Sequence, residues 1–300
     1  MRLEFLPFTA LMLGAGAAAG AVHARSFDAA LALLAFVCLF LIQLAAVLTN
    51  EHFDFPGDRI NRNPGRFSGG SRVIVTGALS HEEILRAVAV AVALLGACSG
   101  LLLALSPHET RVTTLVLIAL AATLGLAHTA PPLKLSHRAL GEINAAFTLG
   151  VLPSVIGWVT QGGALGDSLP WLIAMPMFCA LLCARTLAGI PDIQADTAVR
   201  RRTYAVVFGT RGAAGIGIFS ALAASLAGVL LWQDRIITGW PGVAFLVTVP
   251  HALALVATLV PLLRAPEHER PMDGILVNAL LYASWFGLIP LLYFARLVRG

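Results

Sequence analysis

The amino-acid sequence predicts an all-α polytopic membrane protein, a bundle of nine transmembrane helices with a cytoplasmic N-terminus. Three observations carry that expectation. The 300 residues are 58% hydrophobic and only 12% charged, with a mean hydropathy of +0.84, well outside the range of water-soluble domains. Apolar windows of about 20 residues, the length that crosses a bilayer as helix, recur along the chain with short polar gaps between them. The basic residues fall unequally on alternate gaps.

The windows run over 5–24, 29–50, 84–105, 112–130, 139–160, 169–188, 211–232, 242–264 and 273–297. The first holds Gly14, Gly16 and Gly20 among alanines, small residues that let a neighbouring helix approach closely. It has a second reading as a signal peptide, with Val22 and Ala24 before a cleavage point, although Arg2 in its charged start is offset by Glu4. The second window runs out in LTNEHFDFPGDRINRNPGRFSGGSRV, which opens the longest polar gap, from Glu51 to about Glu83. The third and fourth are nearly free of charge, and the fourth leads into a short basic loop with Pro131, Pro132 and the chain's only lysine, Lys134. The fifth follows Glu142 and Asn144, and the sixth runs out just before Asp192 and Asp196 in ARTLAGIPDIQADTAVRRRTYAVVFG. The last three are joined by short connections. Cys38, Cys98, Cys179 and Cys183 all lie inside windows, without CxxC spacing, and read as small core residues. No stretch is left for a soluble module, so residues 1–300 read as one transmembrane domain.

Only Arg25, Arg111, Arg235, Arg296 and Arg299 fall on one side of a nine-span topology, which leaves fifteen of the twenty Lys and Arg residues on the other. The positive-inside rule makes the richer side cytoplasmic, and with it the N-terminus and both acidic clusters. The net charge of +4 is therefore a topology signal, and with no basic stripe interleaved with aromatics it points away from nucleic acid.

Chemistry is concentrated in the two acidic clusters. Asn50, Asp54 and Asp58 stand four residues apart, so on a helix Asn50 and Asp54 stack on one face and Asp58 drifts about 40 degrees further round. Pro56 and Gly57 argue against an uninterrupted helix there. Asp192 and Asp196 repeat the spacing, followed by Arg200, Arg201 and Arg202. Carboxylates at membrane-segment ends cost several kcal/mol in hydrocarbon unless paired or bound to a cation. The plainer alternative is a solvated loop in which Asp54 and Asp58 pair with Arg59 or Arg62. The repetition favours a divalent-metal site facing an anion: Mg²⁺ takes oxygen ligands from one or two carboxylates, keeps waters and reaches substrate phosphate. Arginine forks add bidentate phosphate binding. A polar diphosphate site at a membrane surface fits an isoprenoid diphosphate.

In these motifs the chain resembles the UbiA superfamily of intramembrane prenyltransferases over essentially its whole length. Asn50, Asp54 and Asp58 match the family's first motif, NxxxDxxxD. Asp192 and Asp196 match the later two positions of the second, whose leading Asn or Asp is replaced here by Ala188. RNPGRFSGGSRV, TAPPLKLSHRALGE and DTAVRRRTYAVVFG look like the menaquinone-pathway branch that prenylates 1,4-dihydroxy-2-naphthoate. The last is similar to its DRxxGKRTxxVRxG pattern, with Thr197 for Arg and Arg201 for Lys.

The resemblance implies a nine-helix UbiA-like bundle in the cell inner (cytoplasmic) membrane and a Mg²⁺-dependent transferase. Two Mg²⁺ ions are implied on Asn50, Asp54, Asp58, Asp192 and Asp196, with Asp54, Asp58, Asp192 and Asp196 as the catalytic carboxylates. Asn50, Arg72, Lys134, Arg201, Arg202 and His128 are implied to bind a polyprenyl diphosphate donor that alkylates a small aromatic acceptor, a quinone precursor. His128 occupies a place where relatives often carry Tyr, and a hydrogen-bonded residue at a helix end is its plainer reading. Glu142, Asn144 and His137 are candidates to orient the acceptor, and Phe53, Phe147 and Trp158 to shield a cation. Two other classes stay open. A terpene cyclase or prenyl-diphosphate phosphohydrolase of the same family uses the same acids without an aromatic acceptor, and a non-catalytic isoprenoid or metal transporter would carry acids along the middle of several spans.

Overall fold

The computed structural model describes residues 4–62, 64–65, 67–233, 237, 241–264 and 272–299. Arg2, Arg66, Arg235 and Arg270, which enter the orientation argument, lie outside the described residues. Every regular element among them is helical: α1 Leu6–Ala24, α2 Ala29–Phe53, α3 Phe55–Ile60, α4 His81–Leu105, α5 Arg111–Ala127, α6 Gly141–Ala146, α7 Leu152–Thr160, α8 Leu169–Ala188, α9 Ile193–Ala198, α10 Tyr204–Gln233, α11 Pro241–Arg264 and α12 Asp273–Arg299. Among the described residues eight helices, counting Gly141–Thr160 as one, are long and apolar enough to cross a bilayer. The fourth expected window becomes α5, which at 17 residues falls short of that length. It rises about 26 Å, somewhat less than the hydrocarbon thickness.

The first helix is built into the core. Met12 and Ala15 are fully buried, and α1 packs along α7 and α12. Small residues decide that contact: a Cβ on Gly16 would run into the Ser154 carbonyl, and one on Gly157 into the Leu13 carbonyl. Between α6 and α7 the chain makes one wide turn, Phe147–Val151, in which Leu152 N–H donates to Phe147 O. Pro153, which has no N–H for the carbonyl four residues back, follows that turn at the start of α7. On the far side, a polar knot ties α10, α11 and α12. The Tyr282 hydroxyl bonds Ser225 and the Ala221 carbonyl, while Trp285 Nε1 donates to His251 Nδ1. Large apolar side chains such as Val112, Phe219 and Leu246 face outward, more than 70% exposed, as lipid contact requires.

Short helices α3 and α9 and the 61–80 segment gather at one end of the bundle. The segment turns back through Gly69 and Gly70, both at positive φ, and α4 then starts at a capping box formed by Ser80 and Glu83.

Candidate active site

The first acidic cluster sits where α2 passes into α3. Asp54 closes one helix and opens the next, and the chain barely breaks: Asp58 N–H donates to Asp54 O at 3.0 Å. Pro56 lies in the first turn of α3, where its missing N–H leaves no bond unmade, so the expected Pro-Gly interruption shrinks to a single residue. Asp58 therefore stays one turn beyond Asp54, buried beneath Gly70. Asn50, a turn earlier, accepts a 2.6 Å hydrogen bond on Oδ1 from Thr129 Oγ1. The second cluster forms in the same way. Asp192 caps α9, and Asp196 N–H donates to Asp192 O at 2.8 Å.

The fold then brings the clusters together. Arg201 Nη1 lies 3.2 Å from Asp54 Oδ2 and 3.8 Å from Asp196 Oδ1, bridging α3 and α9. Asn61 Nδ2 donates to Asp192 Oδ1 at 2.7 Å, and Gly69 N–H donates to Asp192 Oδ2 at 2.9 Å, so Asn61 and the 67–72 stretch are held over the second motif. Asn50, Asp54, Asp58, Asp192, Asp196, Arg201, Lys134 and His128 all line one cavity of about 420 Å³. Arg72 and Arg202 do not line it. The Arg72 guanidinium instead donates to the Asp58 and Asn61 carbonyls at 3.0 and 3.2 Å, holding the segment, and Arg202 is exposed. His128 ends α5 and pairs its Nδ1 with Asn144 Nδ2 at 3.2 Å, so it is both a bonded helix-end histidine and part of the wall. Of the three aromatics named above, Phe53 lines the cavity, while Phe147 and Trp158 pack elsewhere.

Charge in this cavity is unbalanced. Its lining includes six carboxylates, Glu51, Asp54, Asp58, Glu142, Asp192 and Asp196, against three cations, Lys134, Arg185 and Arg201. The cost is visible at two of the buried acids. Burial, then the neighbouring Asp54 and Glu51 charges, pushes the Asp58 carboxyl up to about 7. Burial also raises Asp196 to about 7, with Asp192 and Asp54 adding to the rise and Arg201 opposing it. Among the described residues no three of these acids converge as a preformed ligand group, but oxygen donors with surplus negative charge are the type that Mg²⁺, a hard cation, takes.

Some lining residues had a weak sequence signal. Asn61 lies in a polar gap with many polar neighbours, and its role appears only when Asp192, 131 residues away, is brought against it. Glu51 accepts from Ser71 N–H at 2.8 Å, pinning the same segment. Arg185, a lone cation at the end of an apolar window, reads in sequence as a topology charge; in the fold it lines the cavity.

Comparison with known proteins agrees with this architecture. Residues 8–273 match the UbiA prenyltransferase family. The chain is 26% identical over 296 residues to the 1,4-dihydroxy-2-naphthoate octaprenyltransferase of Escherichia coli, covering 94% of this chain and 92% of that one. A UbiA homolog from Aeropyrum pernix superposes with a TM-score of 0.69 at 20% identity, covering 96% of this chain and 98% of the other. A UbiA homolog from Archaeoglobus fulgidus bound to GPP and Mg²⁺ superposes with a TM-score of 0.63 at 15% identity, covering 99% of each chain.

Proposed function

The chain belongs to the UbiA prenyltransferase family, and from that premise we propose that it transfers a polyprenyl group from an isoprenoid diphosphate to 1,4-dihydroxy-2-naphthoate or a closely related quinone precursor. The observation that carries the reading is the meeting of both acidic motifs on one cavity, with Arg201 between Asp54 and Asp196. The naphthoate acceptor rests on the Escherichia coli relative's name and on the loop resemblance. Magnesium rests on the oxygen-rich lining and on the GPP- and Mg²⁺-bound homolog.

Asn50, Asp54, Asp58, Asp192 and Asp196 would hold two Mg²⁺ ions together with the diphosphate. When bound, the metal supplies charge neutralisation of the diphosphate oxygens and of the departing pyrophosphate. Lys134 donates to those oxygens, and Arg201, released from Asp54 and Asp196, turns its fork onto them. The Gly69–Gly70 turn, tied to Asp192, keeps water off the reacting carbon. The allylic C1–O bond breaks with its electron pair leaving on pyrophosphate, and the ring carbon that bears the acceptor's carboxylate forms the new bond to C1. With a 2-naphthoate the carboxylate departs as CO₂, and the pair from that C–C bond restores the ring. Aromatic walls such as Phe53 and Phe67 shield the cation-like C1. The acidic end faces the cytoplasm, and the protein resides in the inner membrane.

The test is a product assay by mass spectrometry on purified protein with Mg²⁺ and a prenyl diphosphate, with and without 1,4-dihydroxy-2-naphthoate. A prenylated, decarboxylated naphthoquinol formed only with the acceptor is expected. Pyrophosphate release with a cyclised or hydrolysed prenyl product and no adduct overturns the transferase reading.

A further inference from the structure

Four polar side chains in the cavity wall are left incomplete by the protein: Arg201, whose Nε has no partner although its Nη1 meets Asp54, and three that lie off the acidic motifs. Glu142 is buried; its Oε1 accepts from Tyr204 N–H at 2.8 Å, but its Oε2 is enclosed without a hydrogen-bond partner. Asn144 spends its amide nitrogen on the Leu124 carbonyl at 3.1 Å and on His128, which leaves Oδ1 enclosed and unpartnered. On α8, the Arg185 guanidinium stacks 5.0 Å from the centroid of the Phe5 ring, and its Nε is likewise enclosed without a partner. Among the described residues Arg185 and Glu142 form no ion pair with each other. Native proteins pair such groups, so, beside Arg201 at the motifs, two unfilled acceptors and one further unfilled cationic donor on the same cavity point to a ligand that completes them.

The chemistry of that ligand can be read from the set. A diphosphate offers anionic oxygens and no hydrogen-bond donors, so it would answer Arg185 but leave Asn144 Oδ1 unfilled and repel Glu142. A hydroxylated aromatic carboxylate answers all three, because its carboxylate faces the guanidinium and its hydroxyls donate to the two free oxygens. Arg185 lies on α8 itself, about one helical turn before its end at Ala188, whereas Asp192 follows a turn and opens α9. The second ligand is thereby held from α6 and α8, and the diphosphate from the acidic motifs at α3 and α9.

We propose that Arg185, with Glu142 and Asn144, forms the acceptor subsite, in which Arg185 selects an aromatic acceptor by its carboxylate. The inference rests on the transferase reading above and adds to it the residues that choose the acceptor.

The experiment compares wild type, Arg185→Gln and Arg185→Lys, each checked for a sharp size-exclusion peak and a near-native melting temperature. Isothermal titration measures binding of 1,4-dihydroxy-2-naphthoate and of 1,4-dihydroxynaphthalene, which lacks the carboxylate. Steady-state kinetics measure KM for acceptor and donor. Arg185→Gln is expected to weaken naphthoate binding and raise its KM roughly 10- to 100-fold, the scale of a lost charge-assisted hydrogen bond. Arg185→Lys loses less, and both variants leave the diol's affinity and the KM for prenyl diphosphate unchanged. A raised donor KM with naphthoate binding intact would assign Arg185 to the diphosphate and overturn the proposal. Equal weakening of naphthoate and diol, or no change in either, also overturns it. Because the titrations need no turnover, a wild type that binds the naphthoate but forms no adduct would count against the transferase reading and leave the subsite standing.

Discussion

Asp192→Asn isolates what the second acidic motif does within the protein alone. Both carboxylate oxygens are engaged, Oδ1 by Asn61 Nδ2 at 2.7 Å and Oδ2 by Gly69 N–H at 2.9 Å. An amide has one acceptor oxygen, so the variant keeps one of these bonds, now neutral, and turns an N–H₂ toward the other donor. Hydrogen bonds to charged groups contribute about 1.5–3 kcal/mol each. The net loss is therefore about 2 kcal/mol, roughly thirtyfold in the equilibrium between a docked and an undocked 67–72 stretch. Two readouts follow from the same substitution. Limited proteolysis should cut the 61–80 segment roughly thirtyfold faster than in wild type, while the transmembrane core stays intact. Mg²⁺-dependent turnover should fall by about a thousandfold or more, since a carboxylate of the proposed metal site is removed along with the closed segment. A variant that retains wild-type turnover and Mg²⁺ response would refute the two-motif metal site. One that loses turnover with unchanged proteolysis would refute the docking role and leave the metal role.

Two further expectations concern packing and pH. Gly16→Ala drives a Cβ into the Ser154 carbonyl, whereas Gly14→Ala meets only the Leu291 side-chain tip at 3.1 Å. The first should destabilise by about 1–3 kcal/mol and the second by much less, read as melting temperatures in detergent, and equal losses would refute the close α1–α7 contact. Asp58 and Asp196 have carboxyls raised from 3.8 to about 7, so folding favours their protonated forms. That contribution is complete below about pH 4 and is lost as pH rises through about 7. With EDTA the melting temperature should therefore fall between pH 5 and pH 8, and added Mg²⁺ should restore more of it at pH 8 than at pH 5. A metal-free profile that is flat or rises over this range would refute the buried-charge account.

Much of this protein was legible because hydrocarbon leaves few options. A segment in lipid must satisfy its own backbone as helix, so apolar length alone located the helices, and α5 departed from its window only in falling short. The Gly14–Gly16–Gly20 pattern signalled close packing, and Gly16 meets Ser154 accordingly. Charge is so rare here that Asn50, Asp54, Asp58, Asp192 and Asp196 stood out by spacing, and all five line the cavity. Arg72 and Arg202 show the limit of such reasoning. Both sit in basic stretches beside the motifs, yet one is folded onto backbone carbonyls and the other is exposed.

The sequence by itself determined the class of protein, the approximate helices and the acidic character of the site, because hydropathy and i, i+4 spacing are local properties that any fold must respect. Only the tertiary structure decided which cations serve the acids. Arg201 reaches Asp54 across 147 residues of chain and Asn61 reaches Asp192 across 131, and no local pattern encodes a contact at that separation. It also decided that Arg185, Glu142 and Asn144 share one wall with unfilled hydrogen-bonding atoms. Unpartnered polar atoms of this kind exist only once packing has excluded water from the groups that carry them.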